Sequence, residues 1–202
     1  PLSYLGGQPF SLTGSQHLVL GWGAPVEEPL APLCERFRNE TARYWQNWVK
    51  RCEIPPRFQQ EVIRSALTLK LHCFEDTGAI IAAMTTSIPE SPGSGRNWDY
   101  RYCWLRDATF VLVALLNAGY EEEAFAWRAW LLRAVAGNPD QIQILYGLRG
   151  ERRLPEFEAP WLRGYADSRP VRIGNAAAEQ LQLDVYGEVS DVMYQARRAG
   201  LP

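Results

Sequence analysis

The segment Asn97–Asp107 (NWDYRYCWLRD) carries the residue types best suited to chemistry in this sequence, with aromatic side chains alternating with charged ones. In an extended strand, alternate side chains point to the same face. The pattern therefore predicts one aromatic wall, made of Trp98, Tyr100, Tyr102 and Trp104. Arg106 and Asp107 follow at the start of an apolar run, where isolated charges are costly unless they are paired.

The pair Arg106 and Asp107 supports two interpretations. In the first, Asp107 caps a helix and Arg106 forms a local ion pair. In the second, the pair and the aromatic wall form the floor of a pocket for a sugar. A carboxylate accepts hydrogen bonds from two neighbouring hydroxyls and a guanidinium donates to them, so an Arg/Asp fork suits a polyhydroxylated ring.

Other carboxylates in the sequence are weaker candidates for catalysis. Glu156 and Glu158 flank Phe157 in a proline-bounded loop, and they do not obviously face each other. A second group recurs on one helical face and is interpreted as a solvated stripe: Asp184, Glu188 and Asp191. We assign none of these residues, nor Glu151, to catalysis.

Cysteine and histidine are too scattered to indicate a metal centre. The four cysteines (Cys34, Cys52, Cys73 and Cys103) form no CxxC pair, and the chain has 2 histidines. We predict no metal, no cofactor and no disulfide, with the thiols reduced and buried.

Composition restricts the class of protein. The chain has 202 residues, 47% hydrophobic and 22% charged, which is typical of a folded domain rather than a disordered chain. The formal net charge of −2 argues against a nucleic-acid partner, which requires a basic excess. No apolar run approaches the roughly 20 residues of a membrane-spanning helix, so we predict no membrane partner.

Hydrophobic periodicity predicts the elements that position these residues. Residues 1–23 read as two short strands, Phe10–Thr13 and Gln16–Trp22, and residues 24–32 as a proline-rich linker. Short β structure is expected at Ile80–Ser87 and in a small hairpin at Gln143–Gly150. Helical spacing follows over five segments: Leu33–Cys52, Arg57–Cys73, Asp107–Ala118, Glu121–Ala136 and Asn175–Ala199.

Specific residues mark several helix ends. Gly119 is predicted at the C′ position after the third of these helices, and Asn175 as the N-cap of the last. Helix pairs joined by short turns, some of them apolar on all sides, indicate a buried inner helix packed inside an amphipathic outer one.

Asn97–Asp107 strongly resembles the substrate-binding segment of family-15 glycoside hydrolases, the group of glucoamylases, glucodextranases and trehalases. Further stretches are similar to the bacterial and archaeal branch of this family: Ala82–Glu90, Leu145–Glu151, Arg169–Ala177 and Gln180–Glu188. The resemblance covers about residues 30 to 199. It implies an (α/α)6 barrel preceded by a β-sandwich domain, with residues 33–202 as part of the barrel and residues 1–23 as a β remnant.

The resemblance also implies site residues. The family's Arg and Asp hold hydroxyls of the glucose in subsite −1, which corresponds to Arg106 and Asp107, and its Tyr and Trp correspond to Tyr100 and Trp104. Arg172 and Asn175 lie in a loop that borders the same pocket. The expected substrate is an α-glucoside, an oligosaccharide or trehalose.

Family-15 enzymes invert the anomeric centre with two glutamates as general acid and general base. Neither of the family segments that carry these two glutamates occurs in this sequence. We therefore expect a fragment of a longer protein whose remainder completes the barrel. We therefore assign no catalytic residue, and expect the parent to be a bacterial cytoplasmic hydrolase. Two alternatives remain: a non-catalytic carbohydrate-binding or interaction module, and a purely structural helical domain.

Overall fold

The computed structural model describes residues 6–9, 11–21, 23–86 and 88–200. The chain forms two compact units, Pro1–Arg51 and Cys52–Pro202. This division lies C-terminal to the linker predicted at residues 24–32, because the first helix clusters with the N-terminal unit. The predicted domain assignment itself stays a prediction.

The N-terminal unit contains one helix in its described residues, α1 (Leu30–Val49), which begins directly after Pro29. The aromatic rings of Tyr44, Trp45 and Trp48 meet edge to face along it. The backbone of residues 11–21 forms no strand, contrary to the prediction of two strands there, while Phe10 and Trp22 lie outside the described residues. Short strands are marginal without a packed face to support them, which explains the difference.

The C-terminal unit contains the helices α2 (Gln59–Leu71), α3 (Leu105–Asn117), α4 (Glu121–Ala134) and α5 (Asp184–Arg198). The turn between α3 and α4 ends α3 at the predicted glycine. Gly119 adopts a left-handed conformation with φ of 81°. Its N–H donates to Leu116 and that of Tyr120 donates to Leu115, so both carbonyls at the helix end are satisfied.

The core lies where α3, α4 and α5 pack together. Leu112 and Leu115 of α3 are completely buried, and Trp127 and Trp130 of α4 stack with ring centroids 4.7 Å apart. The apolar composition of α3 predicted burial on all sides, yet Phe110 is 66% exposed. α3 therefore packs through one broad face and leaves the opposite face open.

Among the described residues, three two-stranded antiparallel ladders connect the helices. β1 (Cys73–Phe74) pairs with β2 (Ala79–Ile80), β3 (Cys103–Trp104) with β4 (Leu145–Tyr146), and β5 (Phe157–Glu158) with β6 (Arg172–Ile173).

Two of these ladders correct the sequence prediction. The hairpin expected at Gln143–Gly150 is wrong, because Leu145–Tyr146 pairs with Cys103–Trp104 from a distant part of the chain. The strand expected at Ile80–Ser87 is limited to β2; residues 81–86 bend, although Ala82 and Ala83 still donate backbone hydrogen bonds to Tyr102 and Tyr100. Ser87 lies outside the described residues.

The helix predicted over Asn175–Ala199 is broken. A 3₁₀ turn at Ala176–Glu179 comes first, and α5 begins at Asp184. Gln143 Nε2 donates to the Ala178 carbonyl at 2.9 Å, which engages an oxygen that a continuous helix would use. Asn175 caps the 3₁₀ turn, since its side-chain oxygen accepts from Ala177 N at 3.0 Å.

None of the helices in the described part of the chain has the length and apolar character needed to cross a membrane.

Candidate functional site

The candidate site is built where β3 runs directly into α3. Trp104 occupies the N-cap position of α3, and Arg106 and Asp107 lie in its first turn. Asp107 is therefore not the capping residue, and the cap has no side-chain hydrogen bond. Being in the first turn still favours its negative charge, because the helix dipole is positive at that end.

Arg106 lies between two carboxylates. Its Nη2 is 3.3 Å from Asp107 Oδ2, and its Nη1 is 3.7 Å from Asp184 Oδ2 on α5. The three side chains are between 43% and 48% exposed. Exposed ion pairs of this kind contribute only about 0–1 kcal/mol to stability. The cluster thus remains accessible to a ligand and contributes little to the fold.

Asp184 of α5 lies 3.7 Å from Arg106, and Glu188 and Asp191 are half-buried, so the three carboxylates do not form the fully solvated stripe that the sequence indicated. Burial raises the pKa of Glu188, and the charges of Asp184 and Asp191 raise it further. Arg106 lowers that pKa and Asp107 raises it, which places Glu188 within electrostatic reach of both.

Two aromatic residues stand beside the pair. The rings of Tyr100 and Trp104 are 5.6 Å apart and tilted by 50°. Burial raises the pKa of Tyr100, followed by the charge of Glu90, with Arg96 lowering it and Asp107 raising it. Tyr100 therefore lies within electrostatic reach of Asp107.

The predicted wall of four aromatic rings is not supported as one surface. Trp98 packs under the guanidinium of Arg172, 4.6 Å from its ring centroid. Burial raises the pKa of Tyr102, and Asp99 raises it further. The backbone bends at Tyr102 instead of following one flat strand.

Behind the aromatic pair lies a buried polar group that sequence reasoning missed. Asp99 is completely buried, and both of its oxygens accept from Arg101, at 3.0 and 2.9 Å. Its Oδ2 also accepts from Gly174 N at 3.1 Å. The hydrogen bond with Asp99 raises the pKa of Arg101 above its ordinary value. The available signal was an acidic residue inside an otherwise aromatic strand, where only paired charges are stable.

The side chains of Arg172 and Asn175 are engaged within the chain. Arg172 Nη1 donates to the carbonyls of Gly95 and Asn97 at 2.9 and 3.1 Å. Asn175 Nδ2 donates to the Asp99 carbonyl at 3.0 Å. The structure thus brings Tyr100, Trp104, Arg106 and Asp107 together. It connects Arg172 and Asn175 to residues 95–99, directly before Tyr100.

The remaining candidate carboxylates have structural contacts. Glu156 pairs with Arg172 at 3.4 Å and accepts from Ala176 N at 3.3 Å. Glu158 lies 3.9 Å from Arg172. Glu151 accepts from Arg149 N at 2.9 Å. These contacts agree with leaving all three glutamates out of the catalytic assignment.

Within the described residues, no group of three or more His, Cys, Asp or Glu side chains could hold a metal ion. All four cysteines are free, but only Cys103 is buried; Cys34, Cys52 and Cys73 are half-buried, so the predicted burial is wrong for these three. Burial raises the pKa of Cys73 to about 11 and that of Cys103 to about 12, so both thiols stay protonated near neutral pH.

Comparison with known proteins identifies a matching family and several curated relatives. The model of the family described as glycosyl hydrolases family 15 matches residues 56–202. No solved structure gives a significant match.

The curated relatives include three trehalases. One from Mycolicibacterium smegmatis is 44% identical over 159 residues, covering 77% of this chain and 24% of the relative. One from Mycobacterium tuberculosis is 42% identical, covering 77% and 23%. One from Thermoplasma acidophilum is 39% identical over 162 residues, covering 80% and 28%. The chain spans about a quarter of the length of these relatives.

Proposed function

The chain belongs to glycosyl hydrolases family 15, and from that premise we propose that it supplies the glucose-binding face of an enzyme that hydrolyses α-glucosides. Membership, together with the helical structure, confirms the predicted fold class: mainly α, part of an (α/α)6 barrel. Because the similar proteins are named trehalases, trehalose is the first substrate to test.

The observation that carries the proposal is the half-exposed pair Arg106 and Asp107 at the start of α3. Asp107 accepts hydrogen bonds from two adjacent hydroxyls of the glucose in subsite −1, and Arg106 donates to the same ring. Tyr100, which is half-buried, provides an apolar surface for the C–H face of the sugar, and Trp104, which is only 8% exposed, packs against the Tyr100 ring. In this proposal Arg172 and Asn175 border the pocket by holding the segment that leads into it.

The proposed reaction inverts the anomeric centre. One glutamate protonates the leaving oxygen, and a second activates a water on the opposite face of the ring. The two carboxyls must stand about 6.5–9.5 Å apart to leave room for that water. We place both outside this sequence, in the part of the protein that completes the barrel. The reaction as proposed uses two carboxyls and water, and calls for no cofactor.

The test uses the full-length protein with trehalose, maltose and isomaltose as alternative substrates. Asp107→Asn keeps the shape of the side chain and removes its charge. Losing a charge-assisted hydrogen bond, worth about 1.5–3 kcal/mol, should lower kcat/KM about 10- to 100-fold. Asp140→Asn, an exposed carboxylate remote in sequence from the site, is the matched control and should leave kcat/KM unchanged. An unaltered kcat/KM for Asp107→Asn would remove Asp107 from the sugar site.

The stereochemistry of the product tests the inverting step separately. NMR of the first product formed from trehalose should show one glucose released with β configuration, because water attacks the face opposite the leaving group. A product of α configuration only would exclude inversion. Binding of the sugar by the full-length protein without turnover would favour the alternative, a non-catalytic carbohydrate-binding module.

A further inference from the structure

We propose that Asp99 is a positioning residue for the sugar site, one that fixes Tyr100 and the Arg172–Asn175 turn relative to each other. The inference rests on the proposed function. Asp99 does not reach a substrate, because it is completely buried. It acts through the groups that its side chain and backbone hold.

The carboxylate of Asp99 is locked on both oxygens. Oδ1 accepts from Arg101 Nε at 3.0 Å and from Arg101 N at 3.2 Å. Oδ2 accepts from Arg101 Nη2 at 2.9 Å and from Gly174 N at 3.1 Å. Two oxygens engaged in four charge-assisted bonds leave the side chain no second orientation of similar energy.

The peptide that follows Asp99 is held as well. The Asp99 carbonyl accepts from Asn175 Nδ2 at 3.0 Å. Tyr100 N donates to the Thr85 carbonyl at 3.4 Å, and the Tyr100 carbonyl accepts from Ala83 N at 2.9 Å. The backbone that carries the Tyr100 ring is therefore tied to two separate segments, and Asp99 provides the tie to the Arg172–Asn175 turn.

These bonds belong to a row of contacts that runs along both segments. Gly93 N donates to Ser168 Oγ at 2.8 Å, and Asn97 Nδ2 donates to the Pro170 carbonyl at 3.1 Å. Arg172 and Asp99 continue the row in the same direction. Side chains here replace the backbone ladder of a sheet, so the register of the two segments depends on individual residues, with the buried Asp99 at the end nearest the site.

Asn at this position cannot reproduce the contacts. An amide has one accepting oxygen, and its NH₂ group would face either Gly174 N–H or the guanidinium, both of which are donors. Asp99→Asn should therefore loosen the Arg172–Asn175 turn and shift Tyr100, while the half-exposed Arg101 remains solvated. Because Asn has nearly the same volume as Asp, the substitution leaves no cavity in the core.

The experiment measures KM and kcat of the full-length protein for its best glucoside, well below the unfolding temperature of each variant. We expect Asp99→Asn to raise KM about 10- to 100-fold, the range produced when binding groups are misplaced by up to about 1 Å. A loss of folded protein alone lowers kcat and leaves KM unchanged, and that result would overturn the proposal. Asp140→Asn is the control. If Asp99→Asn fails to fold, Arg101→Lys keeps the charge but cannot span both oxygens, and it should raise KM by a smaller factor.

Hydrogen exchange of the same variants separates this inference from the proposed function. Asp99→Asn should accelerate exchange of the Gly174 amide, with the amides of α4 unaffected. If the wild-type protein hydrolyses no glucoside, the proposed function fails, and accelerated exchange confined to residues 172–175 still supports the positioning role. Unchanged exchange at Gly174 overturns it, whatever the activity.

Discussion

Arg106 links α3 and α5 at the proposed sugar site. Asp107 holds one end of its guanidinium from the same helix, and Asp184 holds the other from α5. Both contacts are half exposed and the second is longer than a hydrogen bond, so they bias the orientation of the guanidinium without fixing it. The sequence pattern treated Asp184 as solvated because it lies 78 residues from Arg106, and only packing of α3 against α5 brings the two side chains together.

Asp184→Asn tests this orientation. The variant loses one of the two charges that hold Arg106, so we expect kcat/KM of the full-length protein to fall a few-fold, about 1 kcal/mol or less, as measured for exposed pairs. The unfolding temperature should not change, because the pair is half exposed. Asp191→Asn, on the same helix and hydrogen-bonded to Gln195, is the control and should not alter kcat/KM. Equal losses in the two variants would speak against a specific role for Asp184.

Glu188 makes stability depend on pH. Burial, followed by the charges of Asp184 and Asp191, raises its pKa above the ordinary value of 4.5, while Arg106 lowers it and Asp107 raises it. The folded state therefore binds the Glu188 proton more tightly than the unfolded state does. This contribution to stability is present below the ordinary pKa and is lost as the pH rises through the raised pKa.

Glu188→Gln should accordingly raise the unfolding temperature near neutral pH, because the variant avoids ionising a partly buried carboxyl among like charges. The difference from wild type should shrink as the pH falls below the ordinary glutamate pKa. Thermal unfolding at a series of pH values measures it, with the exposed Glu179→Gln as the control. A difference that grows in acid would contradict the direction of the pKa shift.

At the scale of elements, the site depends on α3 being anchored by one face and open on the other. Leu112 and Leu115 bury the helix against α4 and α5, whereas Arg106 and Phe110 remain on the exposed side. The second element is the β5–β6 ladder, whose return strand leads into the turn at Gly174. The Asp99–Gly174 hydrogen bond connects the turn after β6 to the segment that leads into α3.

Gly174→Ala tests that turn. Gly174 has φ of 83°, a left-handed conformation in which an L side chain is strained, and a Cβ there would overlap the carbonyl of Pro155. We expect a loss of more than about 1 kcal/mol in the free energy of unfolding, measured with denaturant. Gly95→Ala is the matched control, since its Cβ would lie an ordinary 3.5 Å from the Arg169 carbonyl. Similar losses in both variants would show that the turn tolerates a side chain.

At the scale of the whole molecule, the proposed function assigns sugar binding and catalysis to different parts of a barrel. The chain matches its family over residues 56–202 and spans about a quarter of the length of the trehalases it resembles. Among its described carboxylates, Glu156 contacts the Arg172 guanidinium and Glu151 accepts from the Arg149 amide. A pocket that binds glucose without a general acid and a general base cannot protonate the leaving oxygen or activate water.

Residues 1–202 alone should therefore not hydrolyse trehalose, whereas the full-length protein should. Each missing acid or base group is typically worth about 10²–10⁴-fold in rate, and the incomplete barrel lacks the closed site in which fixed charges act strongly. Glucose release from the purified 202-residue chain measures this. Turnover by that chain would place the catalytic carboxyls within it, and Glu156, Glu158 and Glu151 would be the next residues to substitute.

Local patterns in the sequence were sufficient for most of the helices and for the segment that carries the site. The spacing of apolar residues predicted α2, α3 and α4 to within a few residues of their ends, and Gly119 marked the turn between the last two. A helix satisfies its own backbone within four residues, so short-range periodicity reports it directly. The family followed from the same kind of information, a contiguous motif at Asn97–Asp107.

Only the tertiary structure decided which distant segments pair. Leu145–Tyr146 reads equally well as half of a local hairpin, yet it pairs with Cys103–Trp104. Asp99 has its Gly174 partner 75 residues away, and Gln143 interrupts the predicted helix at Ala178 from 35 residues away. Strand ladders and buried polar groups are satisfied by partners brought close through packing. No local period records those partners, because each hydrogen bond depends on where the whole chain places its donor and acceptor.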